Sequence, residues 1–363
     1  MQSAYLYAYD HQNLGDDLFI ETIVERYPKV RFYMWSDKTN KNNFRYLKNL
    51  TIIDKESLIV KLLKKVRPSL VLRYQNIYKN KAVVHIYVGG SIFMEYPSWE
   101  NIVNWWKYQV DHYKFYILGA NFGPYETKEY KLGMNKVFAK AKDICFRDTY
   151  SKHLFQKNDV VRYAPDILFA YSKIPRMVEI KKQLFISPIK CSEKNDLKIQ
   201  ECEEQYINMF DSILKEYYND GYTFVFASFC EDEKDVDAIC LICQKIEKWA
   251  DKNCYTVLEY NGKNQIDVLE KLAESEYIIA SRFHAAILGM VAQRPVFPVI
   301  YSDKTQNVLE DLKFEGNYAD IRNLDNVDYE YSKKNLQNHI IVDVDELKKR
   351  AEEHFTVLNK EFV

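Results

Sequence analysis

The chain has 363 residues, a length that suits two domains of ordinary size. Its hydrophobic content of 47% is sufficient for packed cores, and its formal net charge of −1 argues against a nucleic-acid-binding protein. No stretch approaches the ~18 uninterrupted apolar residues of a membrane span, and the N-terminus lacks the basic-then-apolar pattern of a signal peptide. We therefore expect a soluble cytoplasmic protein, with peripheral contact with the inner face of a membrane left open.

Cysteine and histidine usage gives no sign of a metal or redox centre. The seven cysteines are scattered, and the C-x-x-C spacing of Cys240 and Cys243 falls in an apolar helical pattern, which favours core packing over zinc or redox chemistry. The seven histidines show no ligand spacing, so no metal is predicted. The 29 tyrosines are compatible with a carbohydrate-facing surface, but compositional drift explains them equally well. The oligomeric state stays open.

Short apolar strands alternate with amphipathic helices through the whole chain. In the first half the predicted strands are Ser3–Tyr9, Val30–Trp35, Leu50–Ile53, Ala82–Val88, Tyr113–Leu118, Asp143–Phe146 and Tyr163–Phe169. The second half continues with a strand over Gln183–Ser187, a long helix over Leu197–Tyr218, strands over Tyr222–Ser228, Cys254–Leu258, Tyr277–Ala280 and Pro295–Ile300, and a final helix over Val344–Lys360.

This alternation predicts the α/β class, with two Rossmann-like parallel-sheet domains that face one another across a cleft. We place the N-terminal domain at residues 1–175 and the C-terminal domain at 176–340. The segment Tyr171–Lys182, which contains Pro175 and several charges, is the linker candidate. We expect residues 341–363 to form a helix that packs back on the first domain.

Polar and glycine-rich turns follow several predicted strands of the first half. Asn13-Leu-Gly15-Asp16 opens a helix, and simple helix capping explains it as well as ligand binding does. Gly89-Gly90-Ser91, followed by Glu95, and Gly119-Ala-Asn121-Phe-Gly123 close two later strands and permit close approach of a ligand. They lack the spacing of a dinucleotide or Walker fingerprint, so no nucleotide cofactor is indicated.

The segment Ser281-Arg282-Phe283-His284 lies where a buried strand runs directly into a helix. There the first helical N–H groups are unpaired and the helix dipole is positive, so a guanidinium and an imidazole can hold an anion and move a proton. The next strand is followed by Tyr301-Ser-Asp-Lys304, which puts a second cation at the same edge. A lone Arg or His at a helix start is usually a solvated or capping residue, but the apolar flanks here favour the functional interpretation.

Taken together, these motifs resemble those of the polysaccharide pyruvyl transferase family along nearly the whole chain. Ser281-Arg282-Phe-His284-Ala, with Pro295 and Tyr301-Ser-Asp-Lys304 after it, is the most specific match. The supporting motifs are Asn13-Leu-Gly15-Asp16, Gly89-Gly90-Ser91 (three glycines are commoner), Gly119-Ala-Asn121-Phe-Gly123-Pro124 (with Asn121 where serine is usual), Arg147-Asp148-x-x-Ser151 and, loosely, Pro165-Asp166.

The resemblance implies a GT-B-like fold and transfer of the enolpyruvyl unit of phosphoenolpyruvate to sugar hydroxyls, without another cofactor. It implies His284 and Arg282 as catalytic residues, and Arg282, Lys304 and Ser281 as ligands of phosphoenolpyruvate on the C-terminal side, with Arg147 of the facing domain as a further ligand. A glycan or lipid-linked acceptor would meet Asn13, Asp16, Gly90, Ser91, Glu95 and Asn121, with Asp16, Asp148 or Glu95 as candidate bases. We expect His284→Ala and Arg282→Ala to abolish transfer and to leave the fold intact.

Two other functions remain open from the sequence. A GT-B glycosyltransferase that uses a nucleotide sugar would place its anionic donor at the same turns, but the second half shows no clear acidic pair for a ribose. A non-catalytic glycan-binding protein of the same fold would be free to lose polar residues such as Arg282, His284 and Lys304. The acceptor sugar and its hydroxyl pair cannot be read from the sequence.

Overall fold

The structure, a computed structural model, describes residues 2–175 and 178–362. The chain forms two compact units. Unit 1 comprises Met1–Asp10, Asp16–Ala170 and Lys348–Val363, and unit 2 comprises His11–Gly15 and Tyr171–Leu347. The domain boundary that we placed at 175/176 adjoins Arg176 and Met177, which lie outside the described residues.

Unit 1 is built on a parallel sheet with the strand order β3-β2-β1-β4-β5-β6-β7. Every residue of the inner strand β5 is buried, as expected for a parallel sheet that helices cover on both faces. The order reverses between β1 and β4, and such a switch point opens a crevice at the carboxyl ends of the strands. The strands are Ser3–Tyr7 (β1), Arg31–Ser36 (β2), Leu50–Asp54 (β3), Val84–Val88 (β4), Phe115–Ala120 (β5), Asp143–Phe146 (β6) and Val161–Tyr163 (β7).

The helices of the first half are Leu14–Arg26 (α1), Lys38–Asn43 (α2), Leu58–Val66 (α3), Ser69–Lys81 (α4), Trp99–His112 (α5), Lys128–Phe138 (α6) and Thr149–Leu154 (α7), with a 3-10 turn over Ile167–Ala170. The end of the chain packs within unit 1. The hydroxyl of Tyr27 donates to the Asn359 side chain at 2.7 Å, and Tyr116 donates to Glu361 at 2.7 Å.

Unit 2 contains a second parallel sheet with the order β10-β9-β8-β11-β12-β13. Its strands are Lys181–Ser187 (β8), Thr223–Ser228 (β9), Tyr255–Glu259 (β10), Ser275–Ala280 (β11), Val296–Ile300 (β12) and Ala319–Asp320 (β13). The helices after Tyr171 are Leu197–Glu201 (α8), Glu203–Asn219 (α9), Asp235–Ile246 (α10), Gln265–Glu274 (α11), Phe283–Val291 (α12), Asp303–Asp311 (α13), Tyr329–Gln337 (α14), Val344–Ala351 (α15) and Thr356–Asn359 (α16), with 3-10 turns over Cys191–Glu193, Lys252–Cys254 and Glu352–Phe355.

Three predicted elements differ from the structure. The strand expected over Tyr163–Phe169 ends at Tyr163, because Pro165 has no N–H for the ladder and Asp166 accepts from the Leu168 N–H in a local turn. The single helix expected over Leu197–Tyr218 breaks at Cys202, where the backbone tightens to a three-residue bond with Ile199. The final helix is interrupted by the 3-10 turn over Glu352–Phe355, which no proline or glycine marks in the sequence.

The seven cysteines are all free thiols in the structure. Cys243 packs in the core of unit 2 as expected, whereas Cys240 is exposed on the same helix, α10. Among the described residues, no helix combines the length and apolar character needed to cross a bilayer, and no group of three or more His, Cys, Asp or Glu side chains is arranged to hold a metal ion.

Candidate active site

Two neighbouring strand-to-helix junctions form the edge of unit 2 that the sequence singled out. β11 and β12 pair in parallel, so the turns that follow them, Ser281–Arg282 and Tyr301–Ser302, lie side by side. Neither α12 nor α13 receives a hydrogen bond from the side chain of its N-cap residue, Arg282 or Ser302. Two helix N-termini without side-chain caps therefore direct their positive ends to one edge, which favours an anion.

The guanidinium of Arg282 is buried in ion pairs. Its Nε donates to both carboxylate oxygens of Asp235, at 2.9 and 2.8 Å, and its Nη1 lies 2.7 Å from a carboxylate oxygen of Glu233. Only 5% of Arg282 is exposed. Burial lowers the pKa of Arg282, but the charges of Asp235 and Glu233 outweigh it and hold that pKa well above the ordinary value. Arg282 is therefore permanently charged and already has two anionic partners.

Glu233 connects Arg282 to a second cation that the sequence analysis missed. Its carboxylate pairs with the ammonium of Lys194 as well as with Arg282. Burial raises the pKa of Glu233, but Arg282 and Lys194 more than reverse this effect and lower it to about 2. Glu233 is thus a carboxylate at every physiological pH.

Tyr301 lies in the middle of this charge cluster. The ammonium nitrogens of Lys194 and Lys304 lie 5.2 and 5.8 Å from the centre of its ring. Burial raises the pKa of the Tyr301 phenol, but the positive charges of Lys304, Lys194 and Arg282 outweigh it and lower that pKa below its ordinary value. The surroundings of this phenol therefore stabilise negative charge.

Ser281 is fixed by bonds on both sides. Its N–H donates to the Ser187 carbonyl at 2.9 Å, and its hydroxyl lies 2.7 Å from the hydroxyl of Tyr206. The Tyr206 hydroxyl also accepts from the N–H of Ile189 at 3.1 Å. The turn that presents Arg282 and His284 is therefore held rigidly by β8 and α9.

The imidazole of His284 lies directly on the backbone of Gly15, which belongs to unit 2 by its contacts. A Cβ atom on Gly15 would come within 1.7 Å of His284 Nδ1, a separation that no side chain tolerates. Asn13 shapes this turn, since its Oδ1 accepts from the Gly15 N–H at 3.1 Å. The backbone N–H of Leu14 donates to the Phe229 carbonyl at 2.9 Å. The N-x-G-D motif thus supplies the surface on which His284 rests.

A second cluster of predicted site residues lies in unit 1, around Arg147. Its Nη1 lies 3.1 Å from an Asp166 oxygen, and its Nη2 donates to Asn121 Oδ1 at 2.9 Å. The guanidinium lies flat on Gly90, where an added Cβ would come within 2.6–2.7 Å of three of its atoms. The Ser91 hydroxyl donates to the same Asn121 oxygen at 3.3 Å. Only glycine at position 90 leaves room for Arg147.

The three candidate carboxylates of unit 1 have different surroundings. Asp16 lies in the first turn of α1, and one of its oxygens would be 4.0 Å from a Cβ on Gly89. Glu95 accepts from the backbone N–H groups of Glu126 and Thr127, at 2.6 and 2.8 Å. Asp148 caps α7 by accepting from the Ser151 N–H at 2.7 Å. Glu95 and Asp148 thus have evident structural roles, and the catalytic roles of all three stay predictions.

The structure therefore groups the predicted site residues into two sets. Ser281, Arg282, His284, Lys304 and Asn13 belong to unit 2, whereas Asp16, Gly90, Ser91, Asn121, Arg147 and Glu95 belong to unit 1. The sequence analysis missed Lys194, Glu233, Asp235 and Tyr301 as members of the first set. The acidic run Glu231-Asp232-Glu233 closely follows the end of β9 at the same sheet edge, and this signal could have indicated the acidic members of the first set.

Comparison with solved structures identifies the fold class. Alr3699/HepE of Anabaena, solved with UDP and glucose, matches over 99% of this chain and 96% of its own, with a TM-score of 0.56 and 10% identity. The UDP-GlcNAc 2-epimerase of Methanocaldococcus jannaschii matches over 99% and 100%, with a TM-score of 0.58 and 10% identity. A glycosyltransferase of Rickettsia africae matches over 98% of each chain, with a TM-score of 0.53 and 11% identity. The predicted class, two Rossmann-like units of the GT-B type, is confirmed.

Within this fold class the sequence narrows the assignment to one family. The profile of the polysaccharide pyruvyl transferase family matches residues 13–303, which is most of the chain, and the protein belongs to that family. The resemblance inferred from the short motifs is thereby confirmed. The protein is a transferase that modifies polysaccharide.

Proposed function

We propose that the protein transfers the enolpyruvyl unit of phosphoenolpyruvate to hydroxyls of a cell-surface polysaccharide precursor, forming a pyruvate ketal and releasing phosphate. The observation that carries the proposal is the charge cluster around Tyr301. Arg282, Lys194 and Lys304 contribute three positive charges, and Asp235 and Glu233 contribute two negative ones, which leaves one net positive charge. The positive ends of α12 and α13 add to it.

The donor needs such a site because it carries a carboxylate and a phosphate. Charge-assisted hydrogen bonds to ammonium groups and to helix N–H groups are the usual means of holding both. We assign a direct contact to Lys304, which lies in the first turn of α13 with its ammonium 5.8 Å from the centre of the Tyr301 ring. Lys194 and Arg282 are already paired with Glu233, so they set the potential of the site and supply weaker direct contacts.

The reaction requires one proton transfer to carbon and two new C–O bonds. A proton added to the methylene carbon makes it a methyl group and leaves an oxocarbenium-like centre at the neighbouring carbon. One acceptor hydroxyl attacks that centre, the C–O bond to phosphate breaks, and the second hydroxyl closes the ketal. The acceptor's two hydroxyl protons balance the proton gained by the methyl group and the one that leaves with phosphate. His284, whose ordinary pKa lies near neutrality, is the proposed acid.

Residues of unit 1 are proposed to bind the acceptor. Asp16, in the first turn of α1 and close to Gly89, is the proposed base. Glu95 binds the backbone of a distant loop at Glu126, and Asp148 caps its own helix, α7. Arg147, which we predicted as a donor ligand, has 3% exposure and lies against Asp166 and Asn121. We propose that it organises the Gly90 and Asn121 turns for the acceptor and contributes its charge from there.

The test is phosphate release from phosphoenolpyruvate with a panel of galactose-, glucose-, mannosamine- and lipid-linked acceptors, followed by mass spectrometry. Lys304→Met is expected to raise the KM for phosphoenolpyruvate about 10- to 100-fold, the effect of losing a hydrogen bond to a charged group. Lys215→Met, on the exposed side of α9, serves as the matched control. An unchanged KM for phosphoenolpyruvate in Lys304→Met would show that the donor does not bind at this edge of unit 2. Calorimetric binding of UDP without binding of phosphoenolpyruvate would indicate a nucleotide-sugar transferase instead.

A further inference from the structure

The segment 57–81 of unit 1, which contains α3 and α4, is strongly basic. It carries seven lysines and arginines and no acidic residue, although the whole chain has a net charge of −1. The exposed cations are Lys61, Lys64, Lys65, Arg67, Arg73 and Lys81. In the part of the chain that the structure describes, none of these six forms an ion pair with a carboxylate. Their field is therefore directed at solvent.

The same segment exposes aliphatic side chains to an unusual degree. Leu58, Leu62 and Val66, spaced four residues apart on α3, are 86%, 63% and 69% exposed, and Ile59 lies beside them. On the opposite side of α3, Val60 is buried. Leu72 and Ile77 of α4 are also exposed. Single exposed aliphatic residues are ordinary, but a stripe of them on one helix face indicates a binding surface.

We propose that the surface formed by α3 and α4 docks on an anionic lipid bilayer. Lys61 and Lys65 flank the aliphatic stripe at neighbouring helical positions, so the stripe can enter the boundary between headgroups and acyl chains while the ammonium groups meet anionic headgroups. Basic charge combined with exposed aliphatic surface distinguishes this occupant from a second copy of the chain, because facing basic surfaces would repel each other. The proposal does not depend on the pyruvyl transfer reaction.

Vesicle sedimentation tests this surface. The full-length protein is expected to sediment with vesicles of equal parts phosphatidylglycerol and phosphatidylcholine, and to stay in the supernatant with phosphatidylcholine alone. The double variants Leu58→Ser/Leu62→Ser and Lys64→Glu/Lys65→Glu are each expected to lower the partition coefficient at least about tenfold. Because the four side chains are exposed, the melting temperature should stay at or above that of the wild type.

Two control variants come from α6 of the same unit. Leu132→Ser removes an aliphatic side chain that is 60% exposed, and Lys136→Glu reverses an exposed charge one turn further on. Both should bind vesicles like the wild type. Equal partitioning of all variants, or no binding to anionic vesicles, would overturn the proposal. So would a dimer in analytical ultracentrifugation that Leu58→Ser/Leu62→Ser dissociates, because the occupant would then be a second copy.

A separate observation concerns a cavity of about 550 Å³ in unit 1, within the ~300–1,000 Å³ range of ligand pockets. It lies over the switch point between β1 and β4, where α4 and α5 line it. Six aromatic side chains form much of its wall: Tyr5, Tyr7, Trp35, Tyr87, Trp105 and Trp106. Such rings offer flat apolar faces with polar edges, which suits a sugar ring.

Lys79 lines the same cavity and is 7% exposed. Its ammonium lies 5.6 and 5.4 Å from the ring centres of Tyr5 and Tyr7, and within residues 2–175 and 178–362 it has no hydrogen-bond acceptor or carboxylate partner. The neighbouring His85 is neutral, because burial lowers its pKa to about 3. A buried ammonium without an anion is costly to keep, and the cavity beside it is where an anion can enter.

The geometry points to a sugar that carries a carboxylate or a phosphate as the ligand of this cavity. This inference rests on the proposed function and deepens it, since it makes the acceptor an acidic or phosphorylated sugar. The aromatic wall would hold the ring, and Lys79 would pair with the charged group.

Equilibrium titration without phosphoenolpyruvate tests the cavity independently of transfer. Tryptophan fluorescence should report binding of glucuronate, glucose 6-phosphate or both, at least about tenfold tighter than glucose. Lys79→Met should abolish this preference without lowering the melting temperature, whereas Lys81→Met, on the exposed side of the same helix, should retain it. Binding of only one anion supports the proposal and identifies the charged group. Unchanged binding in Lys79→Met, whether or not the melting temperature falls, would make Lys79 a structural residue and overturn the proposal.

Discussion

Replacing Arg282 with alanine is expected to destabilise unit 2 by about 3–5 kcal/mol. The reason is the burial of its partner. Asp235 is fully buried. Without Arg282, the neutral donors left to its carboxylate among the described residues would be the backbone N–H groups of Phe229 and Cys230, at 2.9 and 3.1 Å. Glu233 would lose one of its two cations as well. Urea unfolding of the full-length protein measures the loss.

Arg322→Ala is the matched control for this prediction. Arg322 also contacts two carboxylates, those of Asp320 and Asp303, but its side chain is 30% exposed, so its removal should cost less than about 1 kcal/mol. Equal losses of unfolding free energy in the two variants would show that burial of the Arg282 cluster does not raise the cost of removing its cation. The expected loss corrects our prediction that Arg282→Ala leaves the fold intact, and it means that inactivity of this variant would not by itself establish a catalytic role.

The largest loss of activity is expected for His284→Ala, about 10²- to 10⁴-fold in kcat if His284 is the general acid. The imidazole is only partly buried, so the melting temperature should change little. Gly15→Ala should cause a comparable loss, because its Cβ would occupy space within 1.7 Å of His284 Nδ1 and force the ring away.

The double variant Gly15→Ala/His284→Ala separates positioning of the ring from a general need for glycine. With the imidazole gone, the added methyl group has room, so the double variant should fold and lose no more activity than His284→Ala alone. Gly133→Ala, whose Cβ would lie 3.2 Å from Val103, should be nearly neutral. If the fold-loss of activity in the double variant were the product of the two single losses, the proposed support of His284 by Gly15 would be contradicted.

Much of the fold could be predicted because its signal is local. The strands β6 and β12, which are buried along their whole length, lie within one residue of their predicted bounds, since a buried parallel strand is a short apolar run that the neighbouring turns delimit. The edge that carries Ser281, Arg282 and Lys304 was predictable for the same reason, because parallel strands bring their carboxyl ends together. The helix break at Cys202 was not, because the apolar periodicity of the segment continues across it.

The sequence by itself determined the alternation of strands and helices, the glycine and polar turns that end the strands, and membership in the pyruvyl transferase family. Tertiary structure alone decided what those turns contact. It made Arg282, which we had expected to be an open ligand, the centre of an ion-pair network with Asp235, 47 positions away, and it brought the ammonium of Lys194 within 5.2 Å of the Tyr301 ring centre. The physical reason is that hydrophobic periodicity depends on neighbours along the chain, whereas the partners of a buried charge are chosen by strand order and packing.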